Sequence, residues 1–219
     1  PQAQATTQPV IYQSHNLFNP YLGYGTFVMP AIIMVIIQQT MLIGIGMIGG
    51  TWREFGLYHK LCPAGRRRMS TLPIVVGRAL VYALIYAVTC ALVLGVLYRL
   101  FHFPMNGNPW TVGIFMTAYV AACIAMGIAV STLRYRENSL LLMLWTSIPV
   151  LMVSGVSFPR EGIPEWLFNL GQLLPSSHGV DGFIRIQTMG ASMSEVFDEI
   201  KWLIILTIVY GGLACIGIH

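Results

Sequence analysis

Five long apolar runs restrict what this chain can fold into. Crossing the hydrocarbon core of a bilayer takes about 20 apolar residues in a helix. Five stretches reach that length, at residues 28–49, 72–98, 110–133, 139–157 and 202–218. Because every backbone polar group inside lipid must be paired, continuous runs of this length predict helices rather than barrel strands. We therefore expect an all-α membrane protein, a polytopic helical bundle with five transmembrane helices in this chain.

The charge content supports the same class. Only 9% of the residues are charged, whereas a soluble domain carries about 25%. The formal net charge is +4, and a basic balance can indicate nucleic-acid binding. Here, however, the basic residues concentrate in the loop at residues 50–71, which holds Arg53, Lys60, Arg66, Arg67 and Arg68. A short basic loop between apolar runs is typical of a membrane surface and argues against a nucleic-acid partner.

The same basic residues predict the orientation of the chain. Loops rich in Lys and Arg stay in the cytoplasm. We expect the loop at residues 50–71 and the link at residues 134–138 to be cytoplasmic. Residues 1–27 then end an extracytoplasmic segment, and the C-terminus is cytoplasmic. An odd number of spans that starts outside without an export signal predicts one further helix upstream, so six in the native chain.

The segment at residues 158–199 is predicted to form short helices in the outer leaflet before the last span. Between Pro164 and Pro175, Trp166 and several leucines recur at helical spacing, as in a helix that lies in the membrane interface. A second short helix is expected from about residue 177 to residue 188, ending near Gly190.

The last span is expected to begin outside its apolar run. Ser192 is followed three residues later by Glu195. This spacing is the capping box, in which a hydroxyl and a carboxylate satisfy the first free amides of a helix. The pair predicts a helix start near residue 192 that continues into the span at residues 202–218.

Two glycine motifs overlap at the end of the first apolar run. Gly44, Gly46 and Gly49 spell G-x-G-x-x-G, and Gly46 with Gly50 spells G-x-x-x-G. A dinucleotide-binding turn needs a strand before these glycines and an acidic residue about 20 positions later. Here the glycines end an apolar run, and three arginines stand at residues 66–68. We therefore interpret them as sites of close packing between membrane helices.

Gln38 and Gln39 lie in the middle of the first run. Side-chain amides inside a membrane usually face a neighbouring helix or a water-filled cavity. Two interpretations stay open at this stage: hydrogen bonding between helices, and the lining of a transport pathway.

The sequence holds no recognisable catalytic centre. It lacks the G-x-x-x-x-G-K-[ST] loop that cradles nucleotide phosphates. Its five histidines are scattered, and its four cysteines form no C-x-x-C pair. Every Asp and Glu falls near or outside a span boundary, so a proton relay within the membrane is not expected either. We expect no enzyme activity and no cofactor in this chain, and any energy source to be another subunit.

Two segments carry a family resemblance. Residues 16–56 contain an Asn-Pro pair, a helix led by proline and then Arg-Glu-Gly, at Asn19, Pro20, Pro30, Arg53, Glu54 and Gly56. Residues 155–192 carry further matches at Gly155, Phe158, Pro159, Pro164, Trp166, Leu167, Pro175, Arg185 and Gly190. The chain thereby resembles the permease subunits of ABC transporters of the type-2 exporter class, including bacterial multidrug exporters. This resemblance implies a place in a bacterial inner membrane.

The resemblance implies a function and a set of partners. Such a permease pairs with a second permease subunit, identical or different, and with two cytoplasmic ABC ATPase subunits that bind ATP and Mg. It implies a cytoplasmic coupling helix at residues 51–62 that contacts the ATPase, with contacts at Trp52, Arg53, Glu54, Gly56 and Tyr58. It also implies that the first span, with Gln38 and Gln39, faces the dimer axis and lines the pathway.

Other interpretations remain beside this one. The coupling segment could instead be an amphipathic helix whose basic residues bind anionic lipid, and this is the interpretation favoured for residues 66–68. The chain could also be a membrane scaffold or a regulatory subunit that transports nothing, whereas an intramembrane enzyme would need catalytic residues that are not evident. Membrane lipids and a periplasmic adaptor are further candidate partners.

Overall fold

A computed structural model describes residues 24–57, 71–101, 103, 105–132, 137, 141–142, 144, 146 and 162–218. Every regular element among them is helical. Four helices are long and apolar enough to cross a membrane, at Val28–Glu54, Thr71–Leu100, Pro109–Ser131 and Phe197–Ile218. The predicted class, a polytopic helical membrane protein, is confirmed. The span predicted at residues 139–157 lies mostly outside the described residues, of which 141, 142, 144 and 146 are helical.

The first helix, α1, runs from Tyr24 to Glu54. It extends past the predicted end at residue 49, so the boundary between the first span and a separate helix at residues 51–62 is wrong. The helical hydrogen bonding continues across this boundary, since the Phe55 amide donates to the carbonyl of Thr51 at 3.1 Å. The Thr51 hydroxyl also donates to the carbonyl of Met47 at 2.8 Å. The helix stops just before Gly56, whose φ of 64° suits a residue without a side chain. Residues 58–62 of the predicted coupling helix lie outside the described residues.

The second span is not one regular helix. α2 covers Thr71–Leu92, a π-helical turn covers Val93–Leu97, and a single turn, α3, covers Tyr98–Leu100. The Tyr98 amide donates to the carbonyl of Val93, five residues back, which is the hydrogen bond of a π-helix. Most side chains of α2 are exposed on the surface of the chain, as expected of a helix that faces lipid.

The central helix of the bundle is α4, which runs from Pro109 to Ser131. Asn108 caps it by accepting a hydrogen bond from the Trp110 amide at 3.0 Å, and Pro109 occupies the first helical position. This pairing of a side-chain cap with a first-turn proline is a strong start signal. α4 packs against α1 and α2 as well as against both long helices of the C-terminal part.

The C-terminal part contains α5 at Glu165–Gly171, α6 at Pro175–Met189 and α7 at Phe197–Ile218. The short helices predicted before the last span are thus present. α6 ends at Gly190, whose φ is 66° and whose amide, together with that of Ala191, bonds the carbonyls of the last helical turn. This is a glycine C-cap, at the predicted position.

The turn before α7 contains part of the predicted capping box. Glu195 accepts hydrogen bonds from the amide and the hydroxyl of Ser192, at 2.6 and 2.8 Å. α7 itself begins at Phe197. The helix thus starts later than the predicted position near residue 192. The Ser192–Glu195 bonds stabilise the turn that precedes it.

The core lies where α1, α4, α6 and α7 meet. Its largest fully buried side chains include Met34, Met41, Phe115, Tyr119, Phe183 and Leu203.

Candidate functional site

Gln38 and Gln39 are both buried in the middle of α1. The Oε1 atom of Gln38, whose residue is 0% exposed, accepts a hydrogen bond from the Ser176 amide at 2.7 Å. The Nε2 atom of Gln39 lies 3.4 Å from Oγ1 of Thr146. One atom of each amide therefore contacts a residue outside α1, as hydrogen bonding between helices requires, whereas Gln38 Nε2 and Gln39 Oε1 are buried without a hydrogen-bond partner among the described residues. Pathway lining stays a prediction for them, since the exposed face of α1 instead carries Ile36, Thr40, Gly44 and Ile48.

Gln38 bonds the N-terminal end of α6. The first amides of a helix have no partner within the helix, and Leu174, at the N-cap of α6, provides no side-chain bond. Pro175 has no amide hydrogen, so Ser176 is the first residue of α6 that has one to donate. The Ser177 amide bonds the Leu174 carbonyl at 3.1 Å. Gln38 thus acts as the cap that the segment before α6 does not supply.

This contact lies deep in the apolar layer. Gln38 is about 15 Å along the helix axis from Val28, at about 1.5 Å per residue, and Val28 begins the apolar span. The hydrocarbon core is about 30 Å thick. The N-terminal end of α6 therefore reaches the middle of the span, where an uncapped amide would have no water to bond.

Glycines let α6 approach α4 closely. A side chain added at Gly179 would collide with the ring of Tyr119, and one added at Gly182 would collide with the ring of Phe115. The Tyr119 hydroxyl donates to the carbonyl of Met34, one turn before Gln38, at 2.5 Å. Three helices are therefore joined around Gln38 by two hydrogen bonds and two glycine contacts.

The other end of α1 carries the residues proposed for ATPase contact. Trp52, Arg53, Glu54 and Phe55 are all exposed, Phe55 at 66%. Nη1 of Arg53 donates to the carbonyl of Gly217 in the last turn of α7, at 2.5 Å. A guanidinium has five N–H donors, so this bond to α7 leaves others for a partner protein.

The glycine motif lies within a continuous helix. A side chain at Gly49 would collide with Ser131 of α4 and with the guanidinium of Arg78 in α2, whereas Gly44 has open space around it. Gly217 is packed in the same way against Thr132. These contacts confirm close helix packing at Gly49, and no strand precedes the glycines among the described residues.

A second polar group lies between α6 and α7. The ring of His178 stacks on that of Trp202, with centroids 5.7 Å apart and planes at 10°. Its Nε2 atom lies 3.1 Å from the Gln172 carbonyl, and because a carbonyl only accepts, Nε2 carries the proton. Arg185 pairs with Glu199 at 2.6 Å.

The predicted residues of the outer helical segment fall at helix starts. Pro164 is the N-cap of α5, and Pro175 is the first residue of α6 and is buried. Trp166 is 68% exposed, as expected of a tryptophan at a membrane–water interface. Pro159 and Tyr58 lie outside the described residues.

The sequence did not single out Tyr119 or Ser176. A tyrosine inside an apolar span does carry a signal, because its hydroxyl needs a partner when buried. Ser176 contributes its backbone amide, which every residue except proline has, so its residue type gives no signal. The residues that the structure describes contain no group of His, Cys, Asp and Glu that could hold a metal ion.

Comparison with known proteins gives a consistent assignment. The family model described as "ABC-2 family transporter protein" matches residues 1–216. The "Probable multidrug ABC transporter permease YbhR" of Escherichia coli strain K12 is 24% identical over 200 residues, which are 91% of this chain and 54% of that protein. The "ABC transporter G family member 20" of Dictyostelium discoideum is 23% identical over 214 residues, 94% of this chain and 29% of that protein. The chain thus spans about half the length of the first relative. No solved structure matches.

Proposed function

The chain belongs to the ABC-2 family of transporter proteins, and from that premise we propose that it is the permease subunit of an ATP-driven exporter. It forms the substrate pathway with a second permease subunit, identical or different, and couples to a separate cytoplasmic ATPase. A relative named as a multidrug permease makes small apolar compounds the first substrates to test. ATP and Mg bind to the partner, and this chain contributes no catalytic residue.

The observation that carries the proposal is the continuity of α1. One helix of 31 residues, Tyr24–Glu54, contains both the buried Gln38 and the exposed Trp52, Arg53 and Glu54. The part of this helix between Gln38 and Glu54 contains no proline, so we infer that a force applied at Glu54 reaches Gln38. The exposed Phe55 adds an apolar side chain at that end, next to the turn at Gly56.

The coupling mechanism follows from differential binding. ATP closes the ATPase subunits, and the closed subunits bind one packing of the permease helices better than another. This difference in binding shifts the equilibrium between the two packings. We propose Trp52, Arg53, Glu54, Gly56 and Tyr58 as the contact residues, and the basic side of the chain as cytoplasmic. Membrane lipids surround the exposed α2, and a periplasmic adaptor is a partner to be tested at the opposite side.

The first experiment establishes the complex. The full-length permease is purified from membranes together with its associated proteins, and ATP-dependent efflux of fluorescent drugs is measured in proteoliposomes. We expect a Walker-motif ATPase to co-purify and efflux to require ATP. If neither is found, the permease assignment fails and a scaffold that transports nothing takes its place.

The second experiment tests the coupling residues. Glu54→Lys is expected to reduce efflux at least tenfold while the protein keeps its expression and melting temperature, because the reversed charge faces the ATPase and not the core. Glu165→Lys, a charge reversal in the first turn of α5, is the matched control and should export normally. Normal export by Glu54→Lys would rule out the coupling assignment.

A further inference from the structure

The bond between Gln38 and Ser176 links two helices with different surroundings. α1 ends at the exposed Glu54, whereas α6 is flanked by turns and begins at the buried Pro175. The two residues are separated by 138 positions in the sequence. The contact therefore joins α1, the helix assigned to coupling, to a helix in the C-terminal half of the sequence.

The chemistry makes this contact specific. The exposed end of α6 is closed by its own glycine cap at Gly190, but its buried end has no side-chain cap from the preceding residue. The positive end of the helix dipole at Ser176 favours an acceptor oxygen, and the carbonyl oxygen of Gln38 provides it. Replacing that oxygen by an apolar group would leave a buried amide without its partner, which is more costly than losing an exposed hydrogen bond.

The surrounding contacts limit how α6 can respond. Gly179 and Gly182 place its backbone against the rings of Tyr119 and Phe115, and Tyr119 is bonded to α1 at Met34. These contacts hold α6 against α4 and, through Tyr119, near α1. Towards its other end α6 is bonded through Gln187 to the Tyr98 hydroxyl and to the Asn106 amide, whereas the Gln38 bond positions its buried end relative to α1.

We propose that Gln38 is a positioning residue that latches the buried end of α6 to α1, so that α6 follows α1 when the ATPase subunits close. The assignment rests on the proposed function, because it gives α6 a role in opening the outer side of the pathway. α1 then transmits motion from the ATPase at Glu54 to α6 at Gln38.

Three variants separate this role from general stability. Gln38→Met removes the acceptor and keeps the length of the side chain. Gln38→Glu keeps an acceptor oxygen, since burial favours the neutral carboxyl group. Gln39→Met is the control for the exchange measurement, because Gln39 is also buried and its side-chain contact in the described part of the chain goes to Thr146 and not to α6.

The first measurement uses the full-length permease alone. Hydrogen–deuterium exchange is followed in peptides that cover residues 174–180. In Gln38→Met we expect exchange at the first amides of α6 to be roughly tenfold faster, with peptides from α4 unchanged. Gln38→Glu and Gln39→Met should exchange as the wild type does. Unchanged exchange in Gln38→Met would overturn the latch, whether or not the protein transports.

The second measurement uses the complex with its ATPase and compares drug efflux with ATP hydrolysis. For Gln38→Met we expect ATP hydrolysis near the wild-type rate and at least fivefold less drug exported per ATP, with recovery in Gln38→Glu. A parallel fall in hydrolysis, efflux and melting temperature would mean that Gln38 serves only stability, and the positioning role would be rejected. If the wild-type complex neither hydrolyses ATP nor exports drug, the proposed function is refuted instead. The exchange measurement on the permease alone still tests whether Gln38 holds the first amide of α6.

Discussion

The hydroxyl of Tyr119 donates a hydrogen bond to the backbone carbonyl of Met34, joining the central helix α4 to α1 at 2.5 Å. Both residues are fully buried. The ring of the same tyrosine also packs against Gly179 of α6. One side chain thus fixes the spacing of α1, α4 and α6 in the region that surrounds Gln38.

Tyr119→Phe removes this hydroxyl and keeps the ring. We expect the free energy of unfolding to fall by about 1 kcal/mol, because hydrogen bonds between membrane helices contribute about 0.6 kcal/mol on average and up to about 1.7. Thermal denaturation in detergent measures the change. Tyr82→Phe is the matched control, since the Tyr82 hydroxyl makes no hydrogen bond in the described part of the chain. This variant should melt as the wild type does.

Gly49→Ala tests the close packing of α1. An added methyl group meets Ser131 and Arg78, so we expect a loss of about 1–3 kcal/mol in the free energy of unfolding, typical of overpacking. Gly44→Ala, in the same helix but with open space around it, should be neutral or slightly stabilising. Equal melting temperatures for the two variants would contradict the packing described at Gly49.

The ion pair between Arg185 and Glu199 can be tested by exchanging the charges. Arg185 is 48% exposed and Glu199 is 14% exposed, so we expect a coupling energy of only about 0.5–1 kcal/mol after solvent screening. Arg185→Glu and Glu199→Arg should each destabilise the protein, and the double variant should recover part of the loss. Chemical denaturation gives the free energies of unfolding of the wild type, the two single variants and the double variant, which form a double-mutant cycle. If the two single changes are additive, the ion pair contributes nothing to stability.

The sequence predicted the membrane helices because their apolar length is set by the bilayer. It did not predict where α1 ends, since the bilayer limits the length of the apolar run and not that of the helix. Residues Thr51 to Glu54 are polar or amphipathic, yet they continue the backbone hydrogen bonds of α1. The helix ends two residues before Gly56, which has a positive φ, but a glycine can also occur inside a helix, so its presence did not mark the end.

The site was harder to predict than the fold. A glutamine in an apolar run predicts a hydrogen-bond partner or a water-filled cavity, and the sequence made this prediction for Gln38. The partner itself is a backbone amide that 138 positions of sequence separate from it. Nothing in the residue type of Ser176 distinguishes it, because the bond depends on how α6 is packed against α4.

The π-helical turn at Val93–Leu97 has a consequence for changes in chain length. Such a turn accommodates one residue more than an α-helical turn does, while Tyr98 beyond it stays anchored by a buried bond to Gln187 at 2.9 Å. Deleting one residue within the turn would restore a regular α-helix and leave both flanking faces in register. The same deletion in the middle of α2 would rotate every following side chain by about 100°. Natural variation in the length of this span should therefore be concentrated at Val93–Leu97.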